Sequence, residues 1–277
     1  MPMTDNPQLP FPRRANTGKH RRKSPVSRRR VIIGGSAAAA ATGLGLAGMA
    51  SAGGGATGGG TGAGTAAGDA SGLGVCSLTA EVTEGPYALP GALIRQDIGE
   101  GRPGFPVHYL LTVVDQSAGC APLTDALVEL WHADHLGEYS GFVGRNGHPG
   151  EDNGTFCRGG AVTDENGQVE LVSIWPGHYT ARAVHAHLRV HTDITRADGS
   201  YTGGEIVHTG QLYFDPEIND RVQSADPYRE NTTPETHLYD DGVYDGGGSA
   251  SGLLTLTPLG GSLTAGYAAT LTIGVNA

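Results

Sequence analysis

From position 76 onward, short apolar runs alternate with turn residues, and the alternation has mostly the period of two that a half-buried strand requires. Val107–Asp115 (VHYLLTVVD) reads as one strand and Ala126–Asp134 (ALVELWHAD) as another. Ala161–Ile174 (AVTDENGQVELVSI) reads as a hairpin whose turn centres on Asn166-Gly167, a dipeptide suited to tight turns. In Ala183–Val190, Val184, Ala186, Leu188 and Val190 alternate with His185, His187 and Arg189. Gly210–Phe214, Leu253–Gly260 and Ala268–Asn276 complete the set. Only Pro216–Ala225 suggests a helix, a short one with proline in its first turn. The pattern predicts a mainly β fold: an antiparallel β-sandwich with few short helices. Long glycine-rich loops such as 141–160 would build a site at its edge.

The first 74 residues do not share this pattern. Residues 1–52 carry nine Lys/Arg against one acid, Asp5, whereas the remainder has nine arginines, no lysine and 27 acids. The segment has a basic arm, Ser27-Arg28-Arg29-Arg30, a weakly apolar Ala/Gly run and the small residues Ala50-Ser51-Ala52. It is similar to a cleavable twin-arginine export signal, which makes the export machinery a partner and the protein extracellular. The alternative is a signal-anchored protein, although Gly and Ala make a poor membrane span, and no stable span is expected. Residues 53–74 form a Gly-rich linker, leaving 75–277 as the folded domain. The strongly acidic body argues against nucleic acid as a partner. The sequence leaves room for a homo-oligomer. Of the three cysteines, Cys76 and Cys120 are the pair we expect to be bridged, with three free thiols as the alternative.

The polar face of the Ala183–Val190 strand poses the functional question. His185 and His187 point the same way, and such a face is ordinarily wet. Two tyrosines change the weighing: Tyr179 follows Pro176-Gly177-His178, and Tyr139 follows Gly137-Glu138. A phenol normally stays protonated at neutral pH, and a hard, highly charged cation would stabilise its anion. Two imidazoles with two phenolates therefore suit ferric iron better than zinc or copper. His132 and His135 have a zinc-like spacing, but they fall on opposite faces of a strand.

Beyond these four residues, a series of motifs runs in order along the chain. They are Thr83-Glu84-Gly85-Pro86-Tyr87, Arg95-Gln96-Asp97-Ile98, Glu129-Leu130-Trp131-His132-Ala133-Asp134, Gly137-Glu138-Tyr139-Ser140, Phe156-Cys157-Arg158-Gly159, Pro176-Gly177-His178-Tyr179, Arg182-Ala183-Val184-His185-Ala186-His187 and Gln211-Leu212-Tyr213-Phe214. The set resembles the intradiol ring-cleavage dioxygenases over nearly all of 76–277, and with the export signal it resembles their secreted bacterial branch. The resemblance implies a non-haem Fe(III) cofactor held by Tyr139, Tyr179, His185 and His187, with Tyr179 as the axial ligand that accepts a substrate proton. It implies Arg182 as the arginine that stabilises negative charge on the substrate ring, Gln211 in the same pocket, and Gly85, Pro86 and Tyr87 at the substrate mouth. The reaction implied uses O2 to cleave a catechol between its hydroxyl-bearing carbons, giving a muconate-type diacid. Three departures stand out. Ala181 replaces a common glycine, Cys157 a common apolar residue, and the stretch from His187 to Gln211 is long. Arg182 is also out of phase with the two histidines unless the strand begins after it. Two competing readings remain: a non-catalytic secreted β-sandwich with no metal, and a copper or zinc protein using only His185 and His187.

Overall fold

A computed structural model describes residues 76–244 and 249–277. The expected signal and linker lie outside these residues. Among the described residues, nine strands and one α-helix follow in chain order: β1 Pro106–Asp115, β2 Ala121–Pro122, β3 Leu127–His132, β4 Arg158–Val162, β5 Gln168–Ile174, β6 His185–Ala197, β7 Ser200–Tyr213, α1 Pro216–Gln223, β8 Thr255–Pro258 and β9 Tyr267–Val275. They make two sheets. In the first, β2 and β5 pair with one side of β1, whose other side leads to β9 and then β8; the second has the order β4-β3-β6-β7.

Period-two patterning drives the packing. Val107, Tyr109, Leu111 and Val113 of β1 face inward and meet Val128 and Leu130 of β3 with Ala186, Leu188 and Val190 of β6. The expected sandwich is therefore present, with one amendment: β9 runs parallel to β1, from Val107 opposite Tyr267 to Asp115 opposite Val275. Nothing in the local pattern of either strand encodes that direction. Among the described residues, no helix is long and apolar enough to cross a membrane.

Two further elements differ from expectation. The strands flanking Asn166-Gly167 are not a hairpin: β4 pairs with β3 in one sheet and β5 with β1 in the other. The tight turn itself forms, because Asp164 accepts hydrogen bonds from the backbone of Asn166 and Gln168. Gly167 docks against β1, where a Cβ would meet the Val113 carbonyl. The turn therefore carries the chain from one sheet to the other. The long stretch before Gln211 is a real hairpin, β6 with β7, closed at Asp198-Gly199, both with positive φ. The expected helix forms as α1, with the Asp215 side chain capping the Ile218 amide. Cys76 and Cys120 are disulfide-bonded, and Cys157 is a buried free thiol.

Candidate metal centre

His185, His187, Arg189 and His191 occupy the face of β6 turned away from the core. That face is nonetheless buried, since all four residues are. A strap of the chain, residues 83–98, covers it. Gln211 Nε2 donates to the Thr83 carbonyl, Glu84 pairs with Arg189, and the Ile94 segment bridges to Gly160 on β4. Gly85 lies on the His187 ring: a Cβ there would sit 3.1 Å from Cε1, and its φ of 71° already favours glycine. Tyr87 stacks on Tyr139 with ring centroids 4.4 Å apart. The strap thus brings two of the three residues expected at the substrate mouth, Gly85 and Tyr87, against the cluster, while Pro86 between them is exposed.

Four donor atoms converge beneath the strap. His185 Nε2 is 3.1 Å from His187 Nε2, His187 Nε2 is 3.1 Å from Tyr139 Oη, and Tyr179 Oη is 3.3 Å from His185 Nε2. Strand β6 supplies the histidines. Tyr139 comes from the loop after β3, and Tyr179 from the turn ahead of β6. The His185 Nδ1–H donates to the Ala183 carbonyl at 2.6 Å, which leaves the Nε2 lone pair facing the cluster. Burial, with the charge of Arg182, pushes the His185 pKa down to about 3. Burial and His185 hold His187 well below its usual range. Burial pushes the Tyr139 phenol well above its usual value, and that of Tyr179 upward.

The two neutral imidazoles bring their Nε2 atoms within 3.1 Å of each other, and each Nε2 lies within 3.3 Å of a phenol oxygen, so all four can face one cation. Two phenols within reach can complete a cation's coordination if the cation is acidic enough to deprotonate them. The donor set therefore fits a hard trivalent ion, and Tyr139, Tyr179, His185 and His187 could hold it. Among the described residues, no cluster of three His, Cys, Asp or Glu side chains offers another metal site. His132 is excluded as a ligand because its ring nitrogens contact the Ala133 carbonyl and the Ser173 hydroxyl.

Arg182 joins the cluster because β6 begins at His185, so its phase is free of the strand. Its Nη1 lies 3.3 Å from His185 Nε2, and its Nη2 donates to Gln211 Oε1. The hairpin register places Gln211 directly opposite His187, which explains why the long intervening stretch does not displace it. Ala181, standing where glycine is common in the motif, has φ 65°. Two neighbours of the cluster carry no role in the sequence motifs. Trp131, opposite His187 in the β3–β6 register, stacks flat on its ring at 4.9 Å. Asp241 pairs with Arg182 from a distant loop. Trp131 was discoverable from its alternation with His132, whereas Asp241 lies in a stretch with no strand pattern.

A family model described as "Dioxygenase" matches residues 84–215, the stretch holding strap, donors and Gln211. Catechol 1,2-dioxygenase from Acinetobacter baylyi is 36% identical over 112 residues, 39% of this chain. The chain spans about a third (34%) of that relative's length. A solved intradiol ring-cleavage dioxygenase from Tetranychus urticae is 32% identical with a TM-score of 0.62, over 73% of this chain and 95% of that one. Similarity at this identity over nearly the whole of a solved relative, together with motifs that meet in one buried cluster, places the chain in the intradiol ring-cleavage dioxygenase family.

Proposed function

We propose that this chain is a non-haem Fe(III) enzyme that cleaves catechols between their hydroxyl-bearing carbons with O2, releasing a muconate-type diacid. The observation that carries the reading is the convergence of two phenols and two neutral imidazoles under the strap. Tyr139, Tyr179, His185 and His187 would hold the iron. A ferric ion held there would supply Lewis acidity, which lowers the pKa values of a catechol and draws electron density from its ring.

The chain's own residues do the rest. Tyr139 is fully buried and wedged between Tyr87 and His187, so it stays in place. Tyr179 is slightly exposed where Tyr139 is not, so as a phenolate its oxygen is the one we assign to accept a proton from the entering catechol. That transfer keeps the charge of the buried site nearly constant, where a change would be costly. Arg182 directs positive charge at the cluster through Nη1, where the reacting ring gains negative charge. Tyr87 closes the strap side against water. The disulfide between Cys76 and Cys120 supports export, because such bonds persist in oxidising compartments.

The test is a visible spectrum and iron assay of the purified protein, before and after adding catechol under nitrogen. We expect about one iron per chain, a tyrosinate-to-Fe(III) band that shifts with catechol, and diacid formation when O2 is admitted. A colourless protein that takes up no ferric iron overturns the proposal. Material recovered from outside the cytoplasm should begin beyond the Ala50-Ser51-Ala52 segment; an intact N-terminus confined to the cytoplasm overturns the export part.

A further inference from the structure

Arg182 faces the cluster only because its other contacts hold it there. Its Nε donates to Asp241 Oδ2 at 2.9 Å, its Nη2 donates to Gln211 Oε1, and Nη1 is left directed at the donors. Gln211 is itself fixed: Oε1 also accepts from the Tyr213 hydroxyl at 3.0 Å, and Nε2 holds the strap. The guanidinium is thus gripped from two sides, and Asp241 supplies the charged grip.

The surroundings of Asp241 show a divided carboxylate. Oδ1 accepts from the Val243 and Tyr244 amides at 2.8 and 3.1 Å, which shapes its own loop. Oδ2 accepts from Arg182 Nε and from the Ala183 amide at 2.7 Å, the residue that leads into β6. The side chain is completely buried, so Arg182 is its counter-charge in a setting where an unpaired anion would be costly. One oxygen serves the loop and the other serves the arginine.

We propose that Asp241 is a positioning residue for the site: its Oδ2 fixes the Arg182 guanidinium so that Nη1 alone is presented to the catecholate. This rests on the ring-cleavage reading above. Asp241 touches neither the donors nor the substrate and acts through Arg182. Asp241→Asn separates its two roles. The amide oxygen can keep the Val243 and Tyr244 bonds, while the NH2 group opposes the two N–H donors now served by Oδ2.

The test is a double-mutant cycle on the iron-loaded full chain. The probe is 4-nitrocatechol under nitrogen, followed by its binding spectrum, with iron content measured in every variant. Asp241→Asn should weaken probe binding about tenfold with iron retained, as removal of a group supporting an active-site residue does. In an Arg182→Ala background the same substitution should change binding less than twofold. Equal weakening in both backgrounds would make Asp241 a loop anchor only, and unchanged binding in the wild-type background would also overturn the proposal. Arg182→Lys leaves the Asp241 loop bonds in place but removes the whole guanidinium fork, Nη1 included, so it should weaken binding at least as much as Asp241→Asn. Wild-type affinity there would sink the proposal even if Asp241→Asn fails to fold. A wild-type protein that carries no iron or binds no probe instead refutes the ring-cleavage reading on which the proposal rests.

Discussion

Strands β1 and β6 carry the same signal and use it in opposite ways. Both place apolar residues at every second position, and both turn that set to the shared core. On β1 the other set is wet. Leu110 is 41% exposed, and with Thr112, Glu170, Thr255, Thr270 and Thr272 it lines an open hollow of about 630 Å3. On β6 the other set is His185, His187, Arg189 and His191, all buried, with the strap packed on His187 and Arg189. A two-residue period therefore says which residues share a face. Whether that face meets water is decided by chain elsewhere, here by residues 83–98. A face both polar and dry is where neutral imidazoles, raised phenols and a directed guanidinium can coexist.

The most damaging way to probe this contrast is to empty the dry face. His187→Ala removes a donor that contacts both His185 and Tyr139. We expect loss of stoichiometric iron and of the visible band, with a cooperative unfolding transition retained. Thr270→Ala, on the wet face, should leave iron content unchanged and stability within about 0.5 kcal/mol. Full iron occupancy and turnover in His187→Ala would show that the donors are wrongly assigned.

The contrast also explains what could be read in the sequence. Strand positions, the short helix and the His185/His187 face were legible because alternation is local, and motif order singled out Tyr139 and Tyr179, which the fold brings to that face. The pairing of strands was not. Asn166-Gly167 and Asp198-Gly199 are equally good turn dipeptides, yet only the second joins two strands of one sheet. The difference lies in what Gly167 packs against on β1, which no window around the turn contains. The parallel course of β9 beside β1, and the arrival of Asp241 beside Arg182, are long-range facts of the same kind.

A second probe compares the two faces of the second sheet through their imidazoles. His187 on the strap side has a buried Nδ1 with no partner among the described residues. His132 on the core side has both ring nitrogens engaged, one with Ser173 of the first sheet. Burial pushes the His132 pKa down to about 4, against about 6.5 when unfolded. The unfolded chain therefore binds a proton that the folded one refuses. The stabilisation is complete above pH 6.5 and is lost as pH falls from there towards 4, by about 3 kcal/mol in all. Urea unfolding of wild type and His132→Gln at pH 7.5 and 4.5 isolates this term, since other titrating groups are common to both. The variant should lose less stability on acidification. Equal losses would mean that His132 titrates normally and that the core face is wetter than its burial implies.

The smallest effect lies at the entrance to β6. Ala181 is exposed and has φ 65°, a conformation in which its Cβ crowds the following carbonyl at a cost of about 1 kcal/mol. The turn must adopt this shape, because Tyr179 and Arg182 bridge across it and both reach the cluster. Glycine removes the crowding but has more freedom to lose on folding, which offsets part of the gain. Ala181→Gly should therefore stabilise the protein by about 0.5 kcal/mol, while probe affinity and iron content stay as in wild type. If the substitution destabilises instead, the strain is outweighed by chain entropy. If it changes probe affinity, the turn is not rigidly held by its neighbours, and the alanine itself helps to aim Arg182 at the buried face.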